Sequence, residues 1–558
     1  MYWVNESVFY HIYPLGFCGA PRINDGKLNY RLDKVIDFIP HLKEMNVNAV
    51  YFGPVFMSTT HGYDTNDYYN IDNRLGDNDS FAHICDKLHE NGIRVVLDGV
   101  FNHVGRGFWA FRDIQEKKQG SPYCSWFQNL NFGGSSPWGD PFWYEGWEGN
   151  YDLVKLNLRH PDVKKHIFDA VAMWMDKFKI DGLRLDVAYC MDQDFLRELK
   201  HFCKGRDSQF WLMGEIIHGD YARLANPDLL DSCTNYECYK GIYSSHNDHN
   251  YFEIAHSLNR QFANGGIYQH IYTFNFVDNH DVNRVASELR DKNHLNNVYT
   301  LLFTMPGVPS IYYGSEFALE GKRTWESDYD LRPCLDLNNV PNANMQLCAH
   351  IAKLSRVRLA LDGLKYGKFE NVNIRNEQLV YKRFTDHQTV FVLFNLTDRH
   401  ERLGFDSRCN AKLTDVLNGN EVFDCNGWTE LDMPPYSSRI LVVNDGSFAL
   451  DLDEATPEQP VQPVEKSVEA EEAAPVAADE HNSVKELKEQ EVTRGRYRHF
   501  KGGEYEVIGF AKHTETGEKL VLYHIMPNGE ELWARPYDMF KEIIWRDGKQ
   551  IRRFEKLS

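Results

Sequence analysis

Long apolar runs are absent: no stretch approaches the roughly 20 residues that a membrane-spanning helix needs. Basic residues are in short supply, 61 Lys and Arg against 81 Asp and Glu. The resulting net charge of −20 argues against nucleic acid or an anionic membrane as the main partner. Paired cysteines are lacking too. The 11 Cys stand scattered, Cys233 and Cys238 being the nearest pair, and no CxxC occurs. That excludes a disulfide or zinc framework and reads as reduced thiols in a cytoplasmic enzyme. The opening MYWVNESVFYHIYPLGF shows no basic segment followed by an apolar one, so no signal peptide is expected. Aromatic residues, by contrast, are plentiful at 14%, which suits apolar cores and the flat faces of sugar rings.

From Val8 to about Gly314, short apolar stretches alternate with amphipathic ones, the pattern of βα units around a parallel sheet. The pattern predicts strands at Val8–Tyr13, Ala49–Gly53, Arg94–Asp98, Gly182–Asp186, Phe210–Glu215, Cys233–Cys238, Tyr272–Val277 and Ser310–Tyr313. Helices are expected near Leu32–Met45, Ser80–Asn91, Pro161–Lys179, Asn296–Thr304 and Ala343–Leu361. This is an α/β chain, a (β/α)8 TIM barrel over 1–103 and 161–365, with its site at the C-terminal ends of the strands. An insert over 104–160, rich in Trp, Tyr, Phe, Gly and Pro, is long enough to be a subdomain. An all-β antiparallel domain is expected at 366–444. Residues 445–493 turn to Glu, Ala, Pro and Val, the composition of a self-repelling disordered linker, with room for a short charged helix at Asn482–Gln490. A small β-rich module, locally basic, follows at 494–558.

The stretch IDGLRLDVAY, Ile180–Tyr189, organises the rest. Ile180, Leu183, Leu185 and Val187 form its apolar body, and Gly182 permits close backbone approach. Arg184 and Asp186 fall on one side because side chains on a strand alternate with period 2. A guanidinium beside Asp186 favours the ionised carboxylate that a nucleophile requires. Other strand ends supply partners. DGVFNH gives Asp98, Asn102 and His103; FWLMGEI runs apolar into Glu215, whose desolvation suits it to carry a proton; FVDNHD ends in His280 and Asp281. Each piece alone also fits a turn, a cap or a structural pair. Jointly, in barrel order, three carboxylates in opposed environments point to retaining glycoside hydrolysis, with nucleophile and acid/base about 5 Å apart.

These segments resemble the α-amylase superfamily, glycoside hydrolase family 13. DGVFNH (98–103), GLRLDVA (182–188), GE (214–215) and FVDNHD (276–281) look like its four signature segments in order, supported by HGYDTNDYYNID (61–72) and GVPSIYYGSE (307–316). The resemblance covers roughly 1–444. It implies Asp186 as nucleophile, Glu215 as acid/base and Asp281 as transition-state stabiliser. It also implies sugar binding by Arg184, His103 and His280, stacking by Tyr63, and structural roles for Asp98 and Asn102. Asp330 and Arg332 (DLRP) resemble an Asp-x-Arg-Pro that contacts further sugars. SPYCSWF (121–127), YDLVKLN (151–157) and GEIIH (214–218) are similar to segments of the neopullulanase and cyclomaltodextrinase group. The chain departs from that group in having no N-terminal starch-binding β domain ahead of Val8, so its domain-swapped dimer is not implied. It departs also at Ile217, where an aromatic is common. Tyr189-Cys190 replaces the Lys-His of many α-amylases.

The reading that follows is an enzyme cleaving α-1,4 bonds of malto-oligosaccharides or cyclodextrins. The same site would serve a 4-α-glucanotransferase if a second sugar replaced water, and a non-catalytic sugar-binding scaffold is the remaining alternative. Catalysis needs no cofactor; a Ca2+ ion through Asn102 and the insert is conceivable, although Asp-rich ligand runs are not evident. The tail, YRHFKGGEYEVIGF (497–510), resembles a small bacterial domain of unknown function, and its partner stays open.

Overall fold

Short runs of buried apolar side chains leave the barrel strands no solvent-facing side, as a parallel sheet covered on both faces requires. In the computed structural model these strands are β1 (Phe9–Ile12), β2 (Ala49–Phe52), β3 (Arg94–Gly99), β4 (Gly182–Leu185), β5 (Trp211–Gly214), β6 (Ser232–Cys233), β7 (Phe274–Asn275) and β8 (Val308–Tyr312). They lie in the order β6-β5-β4-β3-β2-β1-β8-β7, every pairing parallel. A parallel bridge between Thr234 and Phe274 closes β6 on β7, and the Asn235 N–H donates to the Phe274 carbonyl at 3.0 Å. The expected (β/α)8 barrel is therefore present. Gly182 sits opposite Trp211, and a Cβ there would lie 2.6 Å from the Trp211 carbonyl oxygen. The structure describes residues 3–324, 327–452, 492–499, 504–512, 519–526, 532–541, 543–546 and 549–557. Most of the acidic segment, with the helix expected at Asn482–Gln490, lies outside them.

The helices are α1 (Lys34–Glu44), α2 (Asn78–Glu90), α3 (Pro161–Met173), α4 (Gln193–Arg206), α5 (Tyr236–Asn247), α6 (Tyr251–Phe262), α7 (Leu295–Thr304) and α8 (Met345–Ala360). Local chemistry sets their starts. Asp77 accepts from the Asp79 and Ser80 N–H groups while Ser80 Oγ accepts from the Asp77 N–H, a capping box of the kind worth about 1 kcal/mol. One expectation is corrected. The strand expected over Cys233–Cys238 pairs only as far as Thr234, and Cys238 lies in α5. Asn235 caps that helix by accepting from the Cys238 N–H at 3.1 Å, which takes the backbone out of the sheet. Helix α3 passes directly into a π-helical turn over Trp174–Phe178 that is capped by Lys179 at φ 55, so the helix expected over Pro161–Lys179 is present with a widened last turn.

The barrel interior is layered. At its N-terminal end Phe9, Ala49, Val96, Trp211, Phe274 and Val308 form an apolar floor, with Phe9 5.3 Å from Trp211 and 5.4 Å from Phe274 between ring centroids. Two residues further along the same strands come His11, Tyr51, Asp98, Arg184, Met213 and Ser310, and two further still on β4 and β5 come Asp186 and Glu215. The period-2 alternation of a strand thus carries one inward row from oil to charge.

The insert has its own sheet, with Asn150–Lys155 between His103–Gly105 and Gly146–Trp147, and a helix over Trp109–Lys117. Its first strand starts at His103, paired with Lys155. After the barrel, β9 (Lys368–Ile374), β10 (Gln378–Phe384), β11 (Thr389–Asn395), β12 (Glu401–Asp415), β13 (Glu421–Met433) and β14 (Ser438–Asn444) make one antiparallel sheet in the order β9-β10-β11-β14-β12-β13. Asn297 of α7 donates to the Asn395 carbonyl at 2.9 Å, and Arg383 to that of Thr304 at 2.7 Å. The chain divides into two units, Met1–Gln462 and Pro463–Ser558. The second contains a five-stranded antiparallel sheet whose buried side is built by Tyr497, Val507, Val521, Tyr523, Phe540 and Phe554. Among the described residues no helix is long and apolar enough to cross a membrane.

Candidate active site

Arg184 is the hub. Its Nη1 donates to both oxygens of Asp98, at 2.9 and 3.0 Å, and to Asp186 Oδ1 at 2.8 Å, while Nη2 stands 2.8 Å from Glu215 Oε1. All four side chains are buried. Adjacent strands β3, β4 and β5 thus present their C-terminal carboxylates to one guanidinium. Tyr51 and Tyr63 hydroxyls donate to Asp98 Oδ2 at 2.9 and 3.0 Å. Asp98 is saturated by these bonds, which fits a residue that holds Arg184 rather than one that reacts.

Glu215 and Asp186 are joined through the backbone as well. The Val187 N–H donates to Glu215 Oε2 at 2.9 Å, and to aim it there Val187 adopts φ 41, ψ 46. A β-branched residue in the left-handed region is strained by about 1–3 kcal/mol, a cost that persists where the surroundings over-determine it. On the other oxygen, the Tyr236 hydroxyl lies 3.3 Å from Glu215 Oε1.

Asp281 lies across the site and is half-exposed. Its Oδ2 is 3.0 Å from His280 Nε2 and its Oδ1 3.1 Å from Arg332 Nη2. His280 Nε2 also closely contacts the Tyr63 hydroxyl, and the His280 ring is stacked between Tyr63 (5.4 Å, 8°) and Tyr13 (5.7 Å, 14°). Arg332 lies over the Tyr13 ring at 4.5 Å and pairs with Asp328 at 2.6 Å. His103 Nε2 is 3.9 Å from Asp186 Oδ2. The Asn102 amide donates to His103 Nδ1 at 3.1 Å, which leaves the ring proton on Nε2, facing Asp186.

The electrostatics separate the two aspartates. Burial opposes ionisation of Asp281, but His280, then Arg332 and Arg184, outweigh it and hold its carboxyl well below the usual carboxylate range. Asp186 behaves oppositely: burial, then the charges of Glu215, Asp98 and Asp281, push it above that range against the pull of Arg184. The guanidinium beside Asp186, expected to favour its ionised form, pulls in that direction, but burial opposes it most strongly and the same Arg184 serves three carboxylates. Protons in such a cluster belong to the group rather than to one residue. Burial also pushes the His103 imidazole down to about 3, with His61 adding to the effect, so His103 is neutral near pH 7.

Of the residues singled out in the sequence, Asp98, Asn102, His103, Arg184, Asp186, Glu215, Tyr63, His280, Asp281 and Arg332 come together here. Asp330 does not. Its side chain is exposed, and the carboxylates beside Arg332 are those of Asp328 and Asp281. Tyr13, Tyr51, Tyr236 and Asp328 were not foreseen. Among the described residues no group of three or more His, Cys, Asp or Glu side chains converges as a metal site.

A parallel eight-stranded barrel with clustered carboxylates, arginines and stacked aromatics at its strand ends defines the class, a (β/α)8 glycosidase. Residues 11–346 match the family model for the alpha amylase catalytic domain. The chain is 32% identical to a cyclomaltodextrinase of Bacillus sp over 432 residues, 73% of this chain and 75% of that protein. It is 26% identical to an intracellular maltogenic amylase of Bacillus subtilis over 82% of this chain and 77% of that one. A solved cyclomaltodextrinase structure superposes with TM-score 0.69 at 28% identity, covering 79% of this chain and 78% of the other. The chain belongs to the α-amylase family. Residues 495–556 match a family described only as a protein of unknown function (DUF1653).

Proposed function

We propose that the protein hydrolyses α-1,4-glucosidic bonds of malto-oligosaccharides and cyclodextrins with retention of configuration. The observation that carries this is the Arg184 hub, which sets Asp186 and Glu215 at the ends of neighbouring strands with Asp281 opposite. In the first step, with the proton shared by the cluster on Glu215 and Asp186 ionised, Glu215 gives that proton to the glycosidic oxygen while Asp186 Oδ2 attacks the anomeric carbon and the leaving sugar departs. In the second, Glu215 takes a proton from water, and the resulting hydroxide displaces Asp186. The sugar passes through an oxocarbenium-like state, which the anionic Asp281 stabilises. Tyr63 supplies a flat apolar face, and His103, His280 and Arg184 supply hydroxyl contacts. Two carboxylates and water complete the cycle, so no cofactor enters it. The scattered free cysteines and the intracellular relative support a cytoplasmic location.

The alternative acceptor is a second sugar. Tyr189, 5.8 Å from His218 between rings, and the exposed Ile217 offer it a partly apolar surface on the leaving-group side. The test is product analysis by chromatography with maltotriose, β-cyclodextrin, pullulan and sucrose, using Asp186→Asn as the blank. Glucose and maltose from maltotriose, or opened cyclodextrin, with the α-anomer appearing first by NMR, are expected. Products longer than the input would move the assignment to a 4-α-glucanotransferase, and a first-formed β-anomer would overturn the retaining mechanism.

A further inference from the structure

Beneath the carboxylates, inside the barrel, lies a small cavity of about 20 Å³ whose walls include His11, Tyr51, Arg184, Glu215 and His280. A cavity needs about 10–15 Å³ of such space to hold one water. Two ring nitrogens among its walls, His11 Nε2 and His280 Nδ1, are fully buried and have no hydrogen-bond partner among the described residues. The two rings stand 5.1 Å apart and nearly perpendicular, at 88°. His11 itself is fixed, stacked on Tyr51 at 4.3 Å and tilted against Tyr312 at 4.9 Å. A buried donor or acceptor left unsatisfied costs about 1–3 kcal/mol, so two of them on one small cavity call for a shared partner.

We propose that His11 is a positioning residue for His280, acting through a water in this cavity that bridges His11 Nε2 and His280 Nδ1. The inference rests on the reading of His280 as a residue that faces the reacting sugar. The bridge anchors the back of the His280 ring, whose front nitrogen meets Tyr63 and Asp281. Stacking by Tyr13 and Tyr63 fixes the ring plane but not rotation within it. A hydrogen bond at Nδ1 supplies that missing restraint. Burial, with His280 and Arg184 adding to it, holds the His11 imidazole well below its ordinary value. His11 is therefore neutral, and one of its nitrogens accepts while the other donates. The position is an inward one on β1, in the same layer as Tyr51, Asp98 and Arg184, and the bridging water gives the buried Nε2 of this imidazole its partner.

The test compares His11→Phe, which keeps the ring and loses both nitrogens, with His11→Gln, which keeps a polar group of similar reach. Each is assayed on maltotriose and β-cyclodextrin beside the wild type, with a crystal structure of the wild type at high resolution. The expected result is a loss of about tenfold in kcat for His11→Phe, of the kind a small misplacement produces, with little change in unfolding temperature. His11→Gln is expected to recover most of that loss, and a water is expected within hydrogen-bond distance of both histidines. Equal kcat for His11→Phe and wild type, or equal loss in both variants, would overturn the proposal, as would a cavity without that water. A wild type that turns over neither substrate would instead bring down the functional reading, and the water would then decide the role of His11.

Discussion

Replacing Arg184 by Met tests the hub most directly. The substitution keeps the length and apolar stem of the side chain but removes the charge that Asp98, Asp186 and Glu215 share. Breaking a buried ion pair by deleting one partner leaves uncompensated buried charge and costs about 3–5 kcal/mol. Three carboxylates here depend on one guanidinium, so the upper part of that range is expected at neutral pH. The sign with pH follows from Asp186. Its carboxyl is already raised in the folded protein, and loss of Arg184 raises it further. A carboxyl raised on folding contributes stability that is fully present below its unfolded value and is lost as pH rises through its folded value. The deficit of Arg184→Met should therefore be smaller at pH 5 than at pH 8. Scanning calorimetry at the two pH values reads the difference in unfolding temperature, expected to be on the order of 5–10 °C at pH 8. A deficit of less than about 1 kcal/mol, or one that does not change between the two pH values, would refute the idea that Arg184 neutralises the cluster.

Asp281→Asn should lower kcat by about 10²–10³ with substrate binding, measured by calorimetric titration, little changed. Because Asp281 is held below its ordinary value, the stability it contributes is present above that value and is lost in acid as pH falls through the lowered one. Being half-exposed, it should be worth less than about 1 kcal/mol, so the gap in unfolding temperature between Asp281→Asn and wild type should be small at pH 7 and narrow progressively as the pH is lowered below about 4. Asp328→Ala leaves Arg332 with Asp281 as its remaining carboxylate partner and should raise KM several-fold, whereas Asp330→Ala should leave it alone; the reverse ranking would return Asp330 to the site. Tyr236→Phe removes the hydroxyl at Glu215 Oε1 and should reduce kcat/KM by about tenfold, the value of one hydrogen bond to a charged group, without changing the unfolding temperature by more than a degree or two. An unchanged kcat/KM would show that this contact is idle.

The legible part of this molecule was whatever a strand could express by itself. Asp186 and Glu215 could be found because a buried strand that ends abruptly on a carboxylate is conspicuous, and Arg184 because period 2 puts it on the side of Asp186. At DLRP the resemblance drew in Asp330 beside Arg332, but the chain turns in a 3-10 helix over Tyr329–Leu331, and Arg332 pairs with Asp328 while Asp330 is exposed. Tyr236 was hidden for a related reason: the segment around it reads as a strand until Asn235 caps a helix. The protonation order of the aspartates was beyond sequence altogether. It depends on how many carboxylates share one guanidinium, which only packing across β3, β4 and β5 reveals.

The pairing of His103 with Lys155 joins the first and last strands of the insert where it leaves and re-enters the barrel. That ladder is a natural splice point. The residues beyond it can be exchanged between relatives, or lengthened and shortened by selection, while His103 and everything beneath it keep their places. Diversification of the wall above the reacting sugar is thereby separated from the chemistry below, so new substrate preferences can be acquired by replacing one cassette.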